Sequence, residues 1–267
     1  MGGAPKRYLI PFSCSTPQRI SPDMFNLFLK TLGLVLLVSS LTSCSGKKDD
    51  SSADNNGSAA TNSSSPYIAD MQSSKATQRS LRTLMLGCLN YESRLMEFPA
   101  DILDDEGKPL LSWRVALLPF LNQETLWDAI RKDEPWDSEH NRQFWDQIPE
   151  AFKSRNPYVA LDQTTFRGIG GKGGIFEGPK GTKLGSIPDG ASNTIAIVNV
   201  QDSLAVNWMK PGPLDVETID FNQLFGAEDY FSAAFVDAAI HKISRDLDKE
   251  QLRHLLIRND GHVVEFR

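Results

Sequence analysis

Apolar and polar positions divide the chain into three stretches with different physical consequences. Leu27-Phe28-Leu29 and Leu32-Gly33-Leu34-Val35-Leu36-Leu37-Val38 form an apolar run broken by Lys30 and Thr31. A spanning helix needs about 20 predominantly apolar residues, so this run suits a signal peptide better than a permanent anchor. Residues 45–65 contain no large apolar side chain, cannot offset the entropy of ordering, and predict a flexible Ser/Asp/Asn-rich tether. From Pro66 onward the pattern becomes that of a globular domain.

Ser65-Pro66 offers a cap and a proline fit for a first helical turn. Leu81, Leu84, Met85, Cys88, Leu89, Leu95 and Met96 then recur at helical spacing, predicting a long amphipathic helix that ends near Phe98-Pro99. Asp104 to Pro109 reads as a turn. Ser112 to Leu121, broken at Pro119, fits a strand or a short helix equally well. Asn122 to Arg131 and Ser138 to Lys153 look helical. Beyond Pro157 come short β-prone runs at Thr164–Ile169, Gly174–Phe176, Thr194–Val200 and Phe231–Val236. Asp248 can cap a last helix through Ile257, Asn259-Asp260-Gly261 ends it, and Val263 to Phe266 closes as a strand. One long helix followed by mostly antiparallel-looking strands with helical insertions predicts an α+β fold for a single domain over 66–267.

The apolar run at the N-terminus ends in Leu41-Thr42-Ser43-Cys44, which resembles the bacterial lipobox. Small side chains let the backbone enter a narrow peptidase site, and the Cys44 thiol can take a thioether-linked diacylglycerol. The expectation is a signal peptide over 1–43 and a lipidated Cys44 that anchors the chain to a membrane. Two or three acyl chains hold stably where one does not, because each buried CH₂ contributes only about 0.8 kcal/mol. Ser45 after the cysteine favours the outer membrane in the lipoprotein pattern. Residues 1–23 carry four prolines and are long for a leader, so Met24 is the expected translation start.

Charge narrows the partners. The formal charge is −6, and removal of residues 1–43 leaves 24 basic against 33 acidic residues, or −9. No basic stripe offsets that balance, so nucleic acid is an unexpected partner. The three cysteines have separate expected fates: Cys14 leaves with the signal, Cys44 takes lipid, and Cys88 is a small apolar residue on a helix face.

Several short motifs occur in a telling order: Leu89-Asn90-Tyr91, Phe98-Pro99-Ala100, Leu111-Ser112-Trp113-Arg114-Val115, Leu118-Pro119-Phe120-Leu121, Asp133 to Ser138, and Asp189-Gly190-Ala191-Ser192-Asn193-Thr194. Together they resemble the planctomycete domain of unknown function 1559 family, over nearly everything from Ser74 to Phe266. The resemblance implies a pseudopilin-like fold, a helix packed on an antiparallel sheet, in a cell-envelope protein of unassigned activity. Members have a pilin-like start, for which this chain substitutes a lipoprotein signal. They also carry a C-terminal H-x(9)-D-G signature, and here Ala227 and Ala238 stand at its histidine and glycine while Asp237 remains. Because alanine resists positive φ, the turn at Ala238 is expected to differ from a glycine turn.

Candidate chemistry is sparse. Gly168 to Gly174 lacks the spacing of a phosphate loop and predicts a flexible loop, so no nucleotide is expected. His140, His241, His254 and His262 show no paired-ligand spacing; no metal and no cofactor beyond lipid on Cys44 is expected, unless distant residues converge. Asp133, Glu134 and Asp137 around Trp136 could flank a sugar on an aromatic platform or supply oxygen ligands for calcium, or Trp136 could be core with the acids solvating a turn. Asp189 to Asn193 reads as an Asx-type turn feeding the next strand. The functional expectation is a non-catalytic envelope lipoprotein contacting proteins, with carbohydrate or envelope-polymer binding as the alternative and a glycosidase-like enzyme third.

Overall fold

Pro66–Leu95 forms one long helix, α1, in the computed structural model, which describes residues 66–226 and 228–265. Thr77, Ser80, Leu81, Leu84, Met85 and Cys88 are buried along one stripe. The helix ends sooner than expected because Met96 turns to φ 63° and donates its amide to the Glu92 carbonyl. That turn carries Met96 off the stripe, and its side chain is exposed.

β1 (Ile102–Leu103) and β2 (Pro109–Leu111) form a hairpin around the expected turn, where one Asp104 carboxylate oxygen accepts from the amides of Glu106 and Lys108. Ser112 then caps the short helix α2 (Trp113–Ala116), followed by a 3₁₀ turn at Leu118–Leu121 and α3 (Glu124–Ala129). The stretch for which strand and helix were both open is therefore helical. The helix expected over Ser138–Lys153 is absent. Two 3₁₀ turns, Asn141–Phe144 and Glu150–Phe152, stand in its place. Pro149 disfavours helical backbone at Ile148 and divides the segment.

β3 (Gln163–Thr164) pairs with β6 (Val206–Asn207). β4 (Phe166–Gly170), β5 (Ile195–Asn199), β7 (Leu214–Asp215), β8 (Tyr230–Phe235) and β9 (Ile240–Ser244) build one sheet in the order β7-β4-β5-β8-β9, antiparallel except for the β4–β7 pair. A short helix, α4 (Asn222–Phe225), precedes β8. Period-two alternation on β8 sends Ala234 to the core shared with α1 and Phe231, Ala233 and Phe235 to a second core. Leu252, Leu255 and Leu256 of the last helix, α5 (Lys249–Leu256), fill that second core from the opposite face. A β-bulge between Ile195 and Ile197 breaks the alternation on β5, which places Ile195 and Val198 in one core and Ala196 and Ile197 in the other. The fold is α+β, with helices on both faces of a largely antiparallel sheet.

Two expected strands are turns or coil. Gly171 (φ 75°) and Gly173 (φ 88°) reverse the chain, so Gly174–Phe176 folds back and the Phe176 amide donates to Ile169 at the end of β4. Val263 to Glu265 joins no ladder, because the Val264 amide is taken by the Asn193 side chain; Phe266 lies outside the described residues.

The β8–β9 turn keeps its left-handed residue without glycine. Ala238 sits at φ 66°, its amide bonded to the Phe235 carbonyl and the Ala239 amide bonded to Asp237. The expected departure from a glycine turn does not occur: strand pairing on both sides fixes the reversal, and alanine bears the strain, about 1 kcal/mol. Ala238→Gly is accordingly expected to raise stability by about 0.5–1 kcal/mol, read as a higher denaturation midpoint; an unchanged or lower midpoint would refute the strain.

Candidate functional site

The tryptophan-rich segment is built around one buried amide. Asn141, fully buried, donates from Nδ2 to the carbonyls of Arg131, Glu134 and Pro135 and accepts from the Arg131 amide. This hub ties the backbone inward and leaves Asp133 and Asp137 on the exposed rim, while Glu134 pairs with Arg131 at 2.7 Å. Trp136 is half-buried. It stacks on Trp145 with ring centroids 5.2 Å apart, and the Trp145 indole donates to the Trp136 carbonyl. Trp113 and Trp208 are core residues with no exposure. Trp136 thus spends a ring face on another tryptophan, and the flanking Asp133 and Asp137 are exposed.

The glycine-rich stretch is packed rather than flexible. Gly168 and Gly170 belong to β4, and a Cβ on Gly174 would stand 2.7 Å from the Ile169 carbonyl oxygen. The Arg258 side chain donates to the Gly174 carbonyl and pairs with Glu177 at 2.6 Å. Those bonds leave the loop serving the fold.

Burial also decides Cys88, whose thiol it pushes far up and keeps protonated. The Ser112-Trp113-Arg114 motif is structural too. Arg114 is fully buried, gripping the Phe166 carbonyl with two nitrogens at 2.8 and 3.1 Å and Ser112 Oγ with a third. Burial, then the neighbouring Arg167, pushes its guanidinium down to about 9, still charged at neutral pH.

An open cleft of about 550 Å³ lies among α1, the 154–158 loop and the segment leading into β8. Its walls include Asn156, Tyr158, Asn199, Gln201 and Tyr230. Tyr158 is 86 % exposed. Arg155, Asp202 and Glu228 line the cleft too, so neutral and charged hydrogen-bonding groups stand beside aromatic faces and suit a polar ligand.

A second constellation joins the Asp189–Asn193 motif to the chain after the last helix. Asp189 and Asn193 are both buried, yet their side chains make no Asx turn of their own. Asp189 accepts from the amides of Asp260 and Gly261, and Asn193 bonds the His262 carbonyl and the Val264 amide. The motif therefore straps down a loop some seventy residues away. On that loop Asp260 meets two histidines, with His254 Nδ1 at 2.7 Å and His262 Nδ1 at 3.4 Å, and the imidazole rings stack at 4.0 Å. Burial opposes ionisation of Asp260, but the bonds from His254 and the His262 amide outweigh it and hold the carboxyl below its ordinary value. The two histidines come together through a short stretch of chain, while the Asp189 and Asn193 side chains that brace it come from far away in sequence. The signal in the sequence is H-x₅-D-x-H, spread over a helix end and a loop.

The lipobox residues Leu41, Thr42, Ser43 and Cys44, the signal, the tether and Ala227 lie outside the described residues. Among the described residues, no helix is long and apolar enough to cross a membrane.

With an α+β domain of helices on both sheet faces established, comparison with known proteins adds one match. Residues 75–152 are similar to the family described as "Protein of unknown function (DUF1559)". The matched stretch runs from α1 to Phe152, so the Asp189–Thr194 strap and the histidine pair lie beyond it. No curated protein and no solved structure matches the chain.

Proposed function

We propose that the chain is a cell-envelope lipoprotein, anchored by lipid on Cys44, whose folded domain works by contact with envelope proteins or polymers rather than by catalysis. The observation that carries this reading is the ordered run of apolar leader, Leu41-Thr42-Ser43-Cys44 and a 45–65 tract without large apolar residues, ahead of a folded domain. Such a tether holds a domain near the membrane while leaving its faces free. The pilin-like character implied by the family then describes a tethered single domain, with lipid in place of a filament-forming helix.

A labelled fatty acid fed to cells making the protein should appear on the wild type and vanish in Cys44→Ala. Equal labelling of both would sink the anchor and, with it, the reading. The cleft beside Tyr158 favours carbohydrate as a second reading, since the amides of Asn156, Asn199 and Gln201 and the carboxylates of Asp202 and Glu228 line it together with the Tyr158 and Tyr230 rings. Specific binding on a glycan array that Tyr158→Ala abolishes would give this second reading first place.

A further inference from the structure

We propose that His254, Asp260 and His262 form a binding site for one Zn²⁺ ion. Each offers a ligand atom, and the three lie within 4.8 Å of one another. Tetrahedral zinc with bonds of about 2.0–2.1 Å holds neighbouring donors about 3.3 Å apart. The two imidazole Nδ1 atoms stand 2.7 and 3.4 Å from the same carboxylate, on either side of that spacing. Both histidines present Nδ1 to the Asp260 carboxylate, and because their rings stack at 4.0 Å with 22° between planes, admission of the ion requires the exposed His262 ring to rotate out of the stack.

The donor set narrows the metal. Two imidazoles and one carboxylate suit zinc, a set that iron(II), copper and nickel also accept, whereas magnesium and calcium take all-oxygen sites. Thiolate-preferring ions find no sulfur here.

The ligands are also held before any metal arrives. His254 projects from α5, whose Leu252, Leu255 and Leu256 are buried in the second core. Asp260 is fixed by its own amide, which donates to Asp189 at 2.8 Å, as the Gly261 amide does at 3.0 Å. Asn193 holds the chain just after His262, donating to the His262 carbonyl and accepting from the Val264 amide, while the His262 amide donates to Asp260 at 3.0 Å. Outer contacts of this kind orient metal ligands and reduce the ordering that binding must impose. Asp189 and Asn193 are positioning residues for the site.

Three protein ligands leave a fourth position. The His262 side chain is 60 % exposed, so that position opens toward solvent and takes water or a donor group from another molecule. Bound zinc would fasten the loop after α5 to the helix itself. In a domain whose one cysteine, Cys88, is buried and unpaired, coordination supplies a cross-link that a disulfide does not.

The test uses the full chain, stripped with a chelator, dialysed, and titrated with zinc chloride at pH 7.5 against a chromogenic zinc indicator. The expected result is one saturable equivalent per chain, at least tenfold weaker in His262→Ala and in His254→Gln, and unchanged in His140→Ala. Zinc should also raise the melting temperature of the wild type and leave that of His262→Ala in place. His262 is exposed enough for its variant to fold, so it decides the matter even if His254→Gln does not. Failure to take up zinc saturably, or equal uptake by wild type and His262→Ala, would overturn the site.

Discussion

Gly181→Ala is expected to destabilise the domain by about 3 kcal/mol or more, a large effect for one methyl group. The place where its Cβ would go is already filled by the Phe98 carbonyl oxygen, with the carbonyl carbon only 2.6 Å away. These atoms belong to backbone and cannot swing aside as a side-chain tip could. The neighbouring chains are also pinned: the Phe98 amide donates to the Thr182 carbonyl at 2.7 Å, and the Leu184 amide to the Glu92 carboxylate at 3.2 Å. Relief of the clash therefore requires parting the 181–184 segment from the end of α1. Gly185 is the matched control, since a Cβ there meets nothing within 4 Å and Gly185→Ala should change stability by less than about 0.5 kcal/mol. Denaturant unfolding of both full-length variants reads the difference; coincident midpoints would refute the close approach.

The range of each interaction decides whether the sequence discloses it. The α1 stripe was legible because Leu81, Leu84, Met85 and Cys88 repeat at the helical period and burial acts on each alike. Asp248 was legible as a cap because its partners are the Glu250 and Gln251 amides, two and three residues on. The segment over 138–153 misled because its residues have the composition of a helix, while Asn141 spends its amide on backbone from six to ten residues earlier and Pro149 separates Ile148 from the turn at Glu150–Phe152. β9 went unseen because Ile243 is its one buried residue, so the run carries almost no apolar signal. The histidine site was hidden for a related reason. Its framework is Asp189 and Asn193 reaching across the fold, and nothing in the local order of Asp189 to Thr194 states where those side chains go. Trp136 has acids for neighbours in sequence, but in space its ring stacks on Trp145 and faces the Lys210 ammonium.

Asp101→Ala is expected to cost about 3 kcal/mol, because the carboxylate serves backbone and charge at once. One oxygen accepts from the Trp113 amide at 2.8 Å and the other from the Gly212 amide at 2.7 Å, so the side chain joins the start of α2 to the loop before β7. Alanine leaves both donors without that acceptor. Burial pushes the Asp101 carboxyl up, while the two amide bonds and the charges of Arg114 and Arg167 pull it down. Both guanidiniums are themselves pushed down by burial, Arg114 to about 9 and Arg167 to about 10, and Asp101 is the anion that opposes each shift. Removing it leaves two buried cations facing each other without an opposing charge. Asp101→Asn keeps one acceptor oxygen and should lose less than Asp101→Ala. Arg114→Met relieves one of the stranded charges, so the Asp101→Ala/Arg114→Met double variant should lose less than the sum of the two single losses. Unfolding free energies for the four members of that cycle measure the coupling. Strict additivity would show that Asp101 acts through its amide bonds alone and that the buried arginines do not depend on it.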